Sequence, residues 1–165
     1  MKTLYLVRHA KSSWKEPNLP DHERPLNKRG KRDAPFMAKF LEKSRVLPDL
    51  IITSTAKRTT TTAAVFAETL NYAPDKIYAE PELYLASASE MLQVVKRTND
   101  NVFSLMLFGH NPGITDLSNY LCLKEIDNIP TCGIVKMELK RSSWKDFDEN
   151  LCELRWFEYP KKYLS

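Results

Sequence analysis

Basic side chains follow three apolar runs of this chain of 165 residues, at the points where the runs end. Arg8 and His9 follow the first run, and Arg58 comes shortly after the second. His110 comes two residues after the third run, behind a single glycine. Arginine forks match the oxygens of a phosphoryl group in charge and geometry, and histidine is one of the side chains that act as covalent nucleophiles. If the three strands are neighbours, these side chains converge on one pocket whose natural occupant is a phosphoryl group.

Segment 54–58, with the sequence STAKR, adds to this pocket. Hydroxyl residues that begin a helix after a strand present free backbone N–H groups and the positive end of the helix dipole to an anion. Adjacent Arg8 and His9 would face opposite sides of a regular strand. Their joint action requires the chain to leave β geometry at that point.

Short apolar or alternating runs predict five strands, and longer runs with helical spacing predict four helices. The predicted strands are residues 3–7, 49–53, 103–108, 133–139 and 151–157, the last at an edge. The predicted helices are residues 28–43, 56–70, 87–97 and 115–123. This alternation predicts crossover connections, and hence a single three-layer α/β/α domain over residues 1–165 with a mainly parallel sheet. In such a sheet ligands bind outside the carboxyl ends of the strands, which is where the basic residues fall.

The composition is that of a globular protein, with 42% hydrophobic residues, 28% charged residues and a net charge of +4. The basic residues are spread in short groups without a dense stripe, so we expect no nucleic-acid partner. No stretch approaches the roughly 20 apolar residues that a membrane span requires, and the N-terminus shows no signal-peptide pattern. We therefore expect a cytoplasmic protein without a membrane partner.

Neither the cysteines nor the histidines have the spacing of a metal site. Cys122, Cys132 and Cys152 are odd in number and lack CxxC spacing, which predicts reduced, buried thiols. The three histidines lie too far apart in sequence to form a local ligand pair. We expect no metal and no cofactor, and we expect His22, in a proline-rich polar loop, to be exposed and idle.

Four segments in chain order resemble the motifs of the histidine phosphatase superfamily, also called phosphoglycerate mutase-like, and within it the short SixA-type phosphohistidine phosphatases. Segment 6–11 (LVRHAK) resembles the N-terminal RHG signature, and residues 24–30 resemble the RPLTxxG segment. Residues 54–62 resemble the SPxxRxxQT helix start, and residues 108–112 (FGHNP) resemble the second-histidine motif. Ala10 replaces the usual glycine of RHG, and Ala56 stands near the usual proline.

The resemblance implies a phosphoglycerate mutase-like fold and a metal-independent hydrolase with a two-step covalent route. His9 is the implied nucleophile, which forms a phosphohistidine intermediate. The groups implied to hold the phosphoryl oxygens are Arg8, Arg24, Arg58 and His110, and His110 also has a catalytic role.

The general acid is the open point of this assignment. Larger relatives protonate the leaving oxygen with a carboxylate, and Glu82 is the best-placed candidate, with Glu80 behind it. A solvated loop glutamate is the alternative interpretation of Glu82. An imidazole leaving group has less need of such an acid.

The resemblance implies phosphohistidine on a protein as the substrate, and an open site without the insertions of larger relatives would admit a phosphorylated protein side chain. A small-metabolite phosphatase is the nearest alternative. A phospho-ligand binding module that has lost catalysis is the rival from another class. The sequence does not determine the physiological substrate, the partner protein or the oligomeric state.

Overall fold

The computed structural model describes residues 1–164, in which six strands form one sheet with the order β3-β2-β4-β1-β5-β6. The strands are β1 (Lys2–Arg8), β2 (Leu50–Thr53), β3 (Tyr78–Ala79), β4 (Ser104–Gly109), β5 (Ile134–Leu139) and β6 (Glu153–Glu158). The pairs β3-β2, β2-β4 and β4-β1 are parallel, and β5 is antiparallel to both of its neighbours. The prediction of a mainly parallel sheet in an α/β fold is confirmed.

The central strands are buried on both faces, which explains why they are continuous apolar runs. In β1, Leu4 and Leu6 belong to one hydrophobic cluster, whereas Tyr5 and Val7 belong to the other. The same alternation runs along β4, where Leu107 and Phe108 enter opposite clusters. The sheet therefore separates two apolar cores, each of which needs a layer of helices.

Four helices supply these layers: α1 (Lys28–Lys43), α2 (Lys57–Thr69), α3 (Ala88–Lys96) and α4 (Gly113–Leu121). Helices α1 and α2 pack over one face, and α3 and α4 pack over the other. The capping box that Ser87 and Glu90 predict at the start of α3 is present. Helix α4 begins at Gly113, two residues before the predicted start, because it follows directly from the Pro112 turn.

Two features of the periphery complete the fold. The predicted final strand, β6, lies at one edge of the sheet, as expected. The opposite edge is β3, which the sequence analysis missed because Tyr78 and Ala79 are both exposed and carry no hydrophobic pattern. The three cysteines are buried and unpaired, as predicted. Within the described residues no helix is long and apolar enough to span a bilayer.

Candidate active site

A cavity of about 300 Å³ lies at the carboxyl edge of the sheet, where β1, β4 and β2 end side by side. Arg8 at the end of β1 pairs with Gly109 at the end of β4, so that His9 and His110 follow neighbouring strands at the same level. Their ring centroids are 5.3 Å apart. The residues that line the cavity are Arg8, His9, Lys11, Ser12, Trp14, Asp21, Arg24, Arg58, Leu85, His110, Asn111 and Thr131.

The chain leaves β geometry directly after Arg8, as the joint use of Arg8 and His9 requires. The backbone N–H of His9 still donates to the carbonyl of Gly109 at 3.2 Å. The backbone N–H of Cys132 then donates to the carbonyls of both Arg8 and His9, at 3.0 Å each. Cys132 has a φ of 62°, in the left-handed region, and this conformation lets one N–H reach two successive carbonyls. Both side chains consequently reach the same cavity.

The imidazole of His9 is held in one tautomer. Its Nδ1 lies 2.7 Å from the backbone carbonyl of Ala10, which can only accept, so Nδ1 carries the proton and Nε2 keeps its lone pair. Ala10 is itself fixed, because its N–H donates to Thr62 Oγ1 at 3.0 Å. Burial, and the charges of the nearby arginines, lower the pKa of His9 to about 4 in spite of this hydrogen bond. His9 is therefore neutral at pH 7, with Nε2 available as a nucleophile.

His110 has the opposite tautomer. A guanidinium only donates, so the contact of 3.4 Å from Arg58 Nη2 marks Nδ1 of His110 as the acceptor. Its Nε2 then donates to Ser54 Oγ at 2.7 Å. Burial, followed by the charges of His9 and Arg58, lowers the pKa of His110 to about 3. A bound phosphoryl dianion would raise this pKa and allow Nδ1 to donate to a phosphoryl oxygen.

Asp21 joins two of the predicted phosphate ligands. Its carboxylate accepts from Arg24 Nε at 3.1 Å and from Arg58 Nη2 at 3.0 Å. Burial alone would raise the pKa of Asp21, but hydrogen bonds from Tyr84, Arg58 and Arg24 outweigh burial and lower the pKa to about 2. Arg24 also lies 3.5 Å from the ring centre of the exposed Trp14. Asp21 thus holds both guanidinium groups at the cavity wall.

The guanidinium groups keep unused donors. The Nε atoms of Arg8 and Arg58 are buried and have no hydrogen-bond partner among the described residues. Arg8 makes a single hydrogen bond, from Nη1 to the carbonyl of Ile129 at 3.0 Å, and burial lowers the pKa of Arg8. A buried donor without a partner costs free energy. Arg8 and Arg58 therefore line the cavity with donor capacity that the described residues do not use.

Glycine is required where helix α1 approaches the loop that follows His9. A Cβ on Gly30 would lie 2.2 Å from the carbonyl oxygen of Lys11, which is a backbone atom and cannot move away cheaply. The backbone N–H of Asn27 donates to the same carbonyl at 3.0 Å. The residues that resemble the RPLTxxG segment thus hold the chain beyond His9 in place.

The structure does not bring Glu82 to this cavity. The Glu82 side chain is 60% exposed, and its carboxylate accepts from Arg97 Nη1 at 2.8 Å. Glu80 accepts from the same arginine. Neither glutamate is among the lining residues of the cavity. The carboxylate that does line the cavity is Asp21, which the sequence analysis missed.

His22 is also more engaged than expected. It is partly buried, its Nε2 lies 2.8 Å from Thr55 Oγ1, and its ring packs edge-on against Tyr84 at 4.8 Å.

The signal in the sequence that could have identified Asp21 is its spacing from Arg24. It stands three residues before Arg24, at the separation that allows an ion pair in a helical turn, and residues Asp21–Glu23 form a 3-10 turn.

Comparisons with known proteins agree with this geometry. Residues 4–84 match the family model described as histidine phosphatase superfamily (branch 1). An uncharacterized chloroplastic protein of Arabidopsis thaliana is 31% identical over 153 residues, which cover 88% of this chain and 70% of that protein. An uncharacterized protein of Mycobacterium tuberculosis is 30% identical over 165 residues, which cover 94% of this chain and all of that protein.

Among solved structures, a SixA protein of Agrobacterium tumefaciens, proposed to be a phosphohistidine phosphatase, superposes with a TM-score of 0.83. It is 27% identical, and the match covers 96% of this chain and 98% of that protein. These similarities support a hydrolase with phosphatase activity. The family model, the full-length relatives and the shared architecture agree with one another, and this chain belongs to the histidine phosphatase superfamily, where it is of the SixA type.

Proposed function

We propose that this protein removes the phosphoryl group from phosphohistidine on a protein, through a phosphohistidine intermediate at His9 and without a metal ion. The observation that carries the proposal is the hydrogen bond from His9 Nδ1 to the carbonyl of Ala10. It leaves Nε2 without a hydrogen-bond partner among the described residues, and His9 lines a cavity together with three arginines. A neutral nucleophile among cations suits attack on an anionic phosphoryl group.

In the first step the Nε2 lone pair of His9 forms a bond to phosphorus, and the bond from phosphorus to the substrate nitrogen breaks. The charge on the phosphoryl oxygens is stabilised, while the phosphoryl group moves between the two nitrogens, by hydrogen bonds from Arg8, Arg24, Arg58 and His110. Because Nδ1 keeps its proton, His9 becomes a cationic phosphoimidazolium. The Ala10 carbonyl accepts a stronger hydrogen bond from that cation than from the neutral ring.

In the second step water attacks phosphorus on the side opposite His9 and the bond to Nε2 breaks. The proton on Nδ1 makes His9 leave as a neutral imidazole, so no further acid is needed. The proton of the attacking water passes to the released phosphate. The tautomer set by Ala10 thus serves both steps.

The lack of a carboxylic acid beside the scissile bond favours an imidazole leaving group. Phosphohistidine that is protonated on its far ring nitrogen releases a neutral imidazole without a proton at the breaking bond. An alkoxide leaving group would need that proton from an acid, and the carboxylate of the cavity, Asp21, is held ionised by two arginines.

The cavity also limits the size of the substrate. Its volume of about 300 Å³ is at the lower end of the range for ligand pockets, which suits a phosphoryl group and one small ring. The exposed side chains of Trp14 and Leu85 stand at its rim. The remainder of the substrate would lie outside the cavity, as it would for a side chain of a folded protein.

The charge of the cavity favours a metal-independent reaction. Four cationic side chains and one carboxylate line it, so a metal ion would be repelled and the arginines already supply the positive charge that the transition state needs.

The test is phosphate release by wild type and His9→Ala, in the presence of a chelator, from an aryl phosphate and from a phosphohistidine-bearing protein. We expect chelator-resistant turnover that is faster on phosphohistidine and falls by more than about 10³-fold in His9→Ala. Turnover of the aryl phosphate alone would instead indicate a small-metabolite phosphatase. No wild-type turnover of either substrate would indicate a phospho-ligand binding module.

A companion variant, Glu82→Gln, tests the general acid. We expect it to hydrolyse phosphohistidine at the wild-type rate, because Arg97 holds Glu82 outside the cavity. A loss of more than about tenfold in kcat, with KM unchanged, would restore Glu82 as the acid.

A further inference from the structure

A basic groove lies beside the phosphate cavity and has no part in the chemistry proposed above. It has a volume of about 1210 Å³ and lies between the loop around residues 13–16, the start of α1 and Lys161. A single carboxylate, Glu16, faces six cationic side chains along its described lining. These cations, which we call the groove cations, are Lys15, Lys28, Arg29, Lys31, Arg32 and Lys161.

One ribbon of backbone separates the groove from the cavity. Ser12 and Leu26 form an antiparallel bridge, and the N–H of Ser13 donates to the carbonyl of Pro25 at 2.8 Å. Along this ribbon Ser12, Trp14 and Arg24 line the cavity, whereas Ser13, Lys15 and Pro25 line the groove. Successive side chains of an extended segment point to opposite sides. A substrate bound in the cavity is therefore separated from the groove only by this ribbon of backbone.

The charges of the groove are not explained by the stability of the fold. Four of the groove cations stand in the first turn and a half of α1, where no acidic residue is present and where the positive end of the helix dipole repels them. Arg29 and Arg32 are compensated by the buried Asp33, at 3.4 and 2.9 Å. Lys15, Lys28 and Lys31 make no salt bridge within residues 1–164. Lys28 and Lys31 thus oppose the helix dipole without a salt bridge that offsets it, as functional residues often do.

We infer that this groove binds an acidic segment of the protein that carries the phosphohistidine, an inference that rests on the proposed function. Charge complementarity identifies the occupant: exposed ammonium groups without partners attract carboxylates and steer an acidic protein toward the cavity. A nucleic acid fits the groove less well, because single-stranded binders stack bases on aromatic side chains and the described lining contains none. The groove thus gives the enzyme a preference among phosphoproteins that the cavity alone does not provide.

The experiment uses two phosphohistidine peptides that differ only in their flanks. One peptide carries Asp and Glu on both sides of the phosphohistidine, and the other carries Asn and Gln at the same positions. We expect wild type to show about tenfold higher kcat/KM on the acidic peptide at low salt, and a smaller difference at high salt as the charges are screened. In K28E/K31E the preference should disappear, while kcat/KM on an aryl phosphate stays within about twofold of wild type.

The matched control is K140E/K145E, which changes the net charge equally. Lys140 follows Leu139, which pairs with Lys2 at the opposite end of β1 from the cavity. This control should keep the preference for the acidic peptide.

The test variant K28E/K31E should also fold normally. It places acidic residues at the start of α1, where the positive end of the helix dipole stabilises them, so its Tm should not fall. Loss of peptide preference cannot then be attributed to unfolding.

Three outcomes would overturn the inference: equal kcat/KM of wild type on both peptides, an unchanged preference in K28E/K31E, or an equal loss on the aryl phosphate. Fluorescence anisotropy with the unphosphorylated peptides and a single-stranded oligonucleotide of equal charge requires no turnover. Tighter binding of the oligonucleotide would also overturn it. Binding of the acidic peptide that K28E/K31E abolishes would support the groove even if wild type left phosphohistidine intact, a result that would refute only the proposed function.

Discussion

Each end of strand β1 carries a cation, buried at the amino end and partly buried at the carboxyl end, and the surroundings of the two differ. At the amino end Lys2 is 1% exposed, and its Nζ donates to the carbonyls of Asp100 and Val102. The same ammonium group lies 4.8 Å from the Phe103 ring centre and 5.6 Å from that of Trp144. At the carboxyl end Arg8 uses one of its five N–H groups, and its Nε has no partner among the described residues.

The difference separates a structural cation from one prepared for a ligand. Around Lys2 the protein supplies acceptors and aromatic faces, so the charge is compensated within the fold. Around Arg8 it supplies further cations and two histidines whose pKa values are lowered to about 4 and about 3. An anion that enters the cavity would supply the missing acceptors. The following predictions test this contrast.

Of these variants, Arg8→Met should have the largest effect on kcat/KM, and it should leave stability nearly unchanged. We expect kcat/KM to fall by about 10²–10³, since one group that stabilises the transferring phosphoryl oxygens is removed. Stability should change by less than about 1 kcal/mol, because the variant also removes a buried donor without a partner. Arg155→Met, at an arginine of the edge strand β6 that is 45% exposed, is the matched control and should keep full activity. A large loss of stability in Arg8→Met would mean that Arg8 is structural like Lys2.

The histidines of the carboxyl end should make stability depend on pH. Their pKa values in the fold lie below the ordinary value of 6.5, so the unfolded chain binds more protons as pH falls from about 6.5 toward 4. Stability should therefore be full above pH 6.5 and fall on acidification, on the order of a few kcal/mol. Tm measured from pH 7.5 to pH 4.5 should show this slope in wild type and a weaker slope in His9→Ala and His110→Ala. Identical slopes in all three proteins would contradict the lowered pKa values of His9 and His110.

Replacement of Lys2 by methionine should lower stability and leave activity unchanged, which is the reverse of the effect expected for Arg8→Met. The carbonyl of Asp100 loses its buried donor, while that of Val102 keeps Trp144 Nε1 at 2.8 Å. We expect a loss of about 1–3 kcal/mol in the free energy of unfolding, measured by denaturant titration, with kcat/KM unchanged. Lys2→Arg, which keeps the charge and the donors, should lose less. If Lys2→Met lowered activity as Arg8→Met does, the contrast between the two ends would be refuted.

The sequence alone predicted five of the six strands, all four helices and the residue types at the strand ends. The unbroken apolar runs of β1 and β4, the helical spacing in α1 and the capping box of Ser87 predicted those elements, because each of these signals is local in sequence. The family resemblance, together with the positions after apolar runs, predicted that Arg8, His9, Arg58 and His110 meet. This prediction was possible because parallel strands end at one edge.

Only the tertiary structure decided how these residues act. Asp21 joins Arg24 to Arg58, Glu82 pairs with Arg97, and Ala10 selects the His9 tautomer. Each of these contacts involves a residue outside the regular strands and helices, where the path of the chain leaves no periodic signal in the sequence. The short strand β3 was missed for a similar reason, since its pairing with β2 involves backbone groups and exposed side chains. Side-chain types and spacing determined which groups reach the edge of the sheet, whereas proton positions and charge partners depend on distances of a few ångströms that only the folded chain sets.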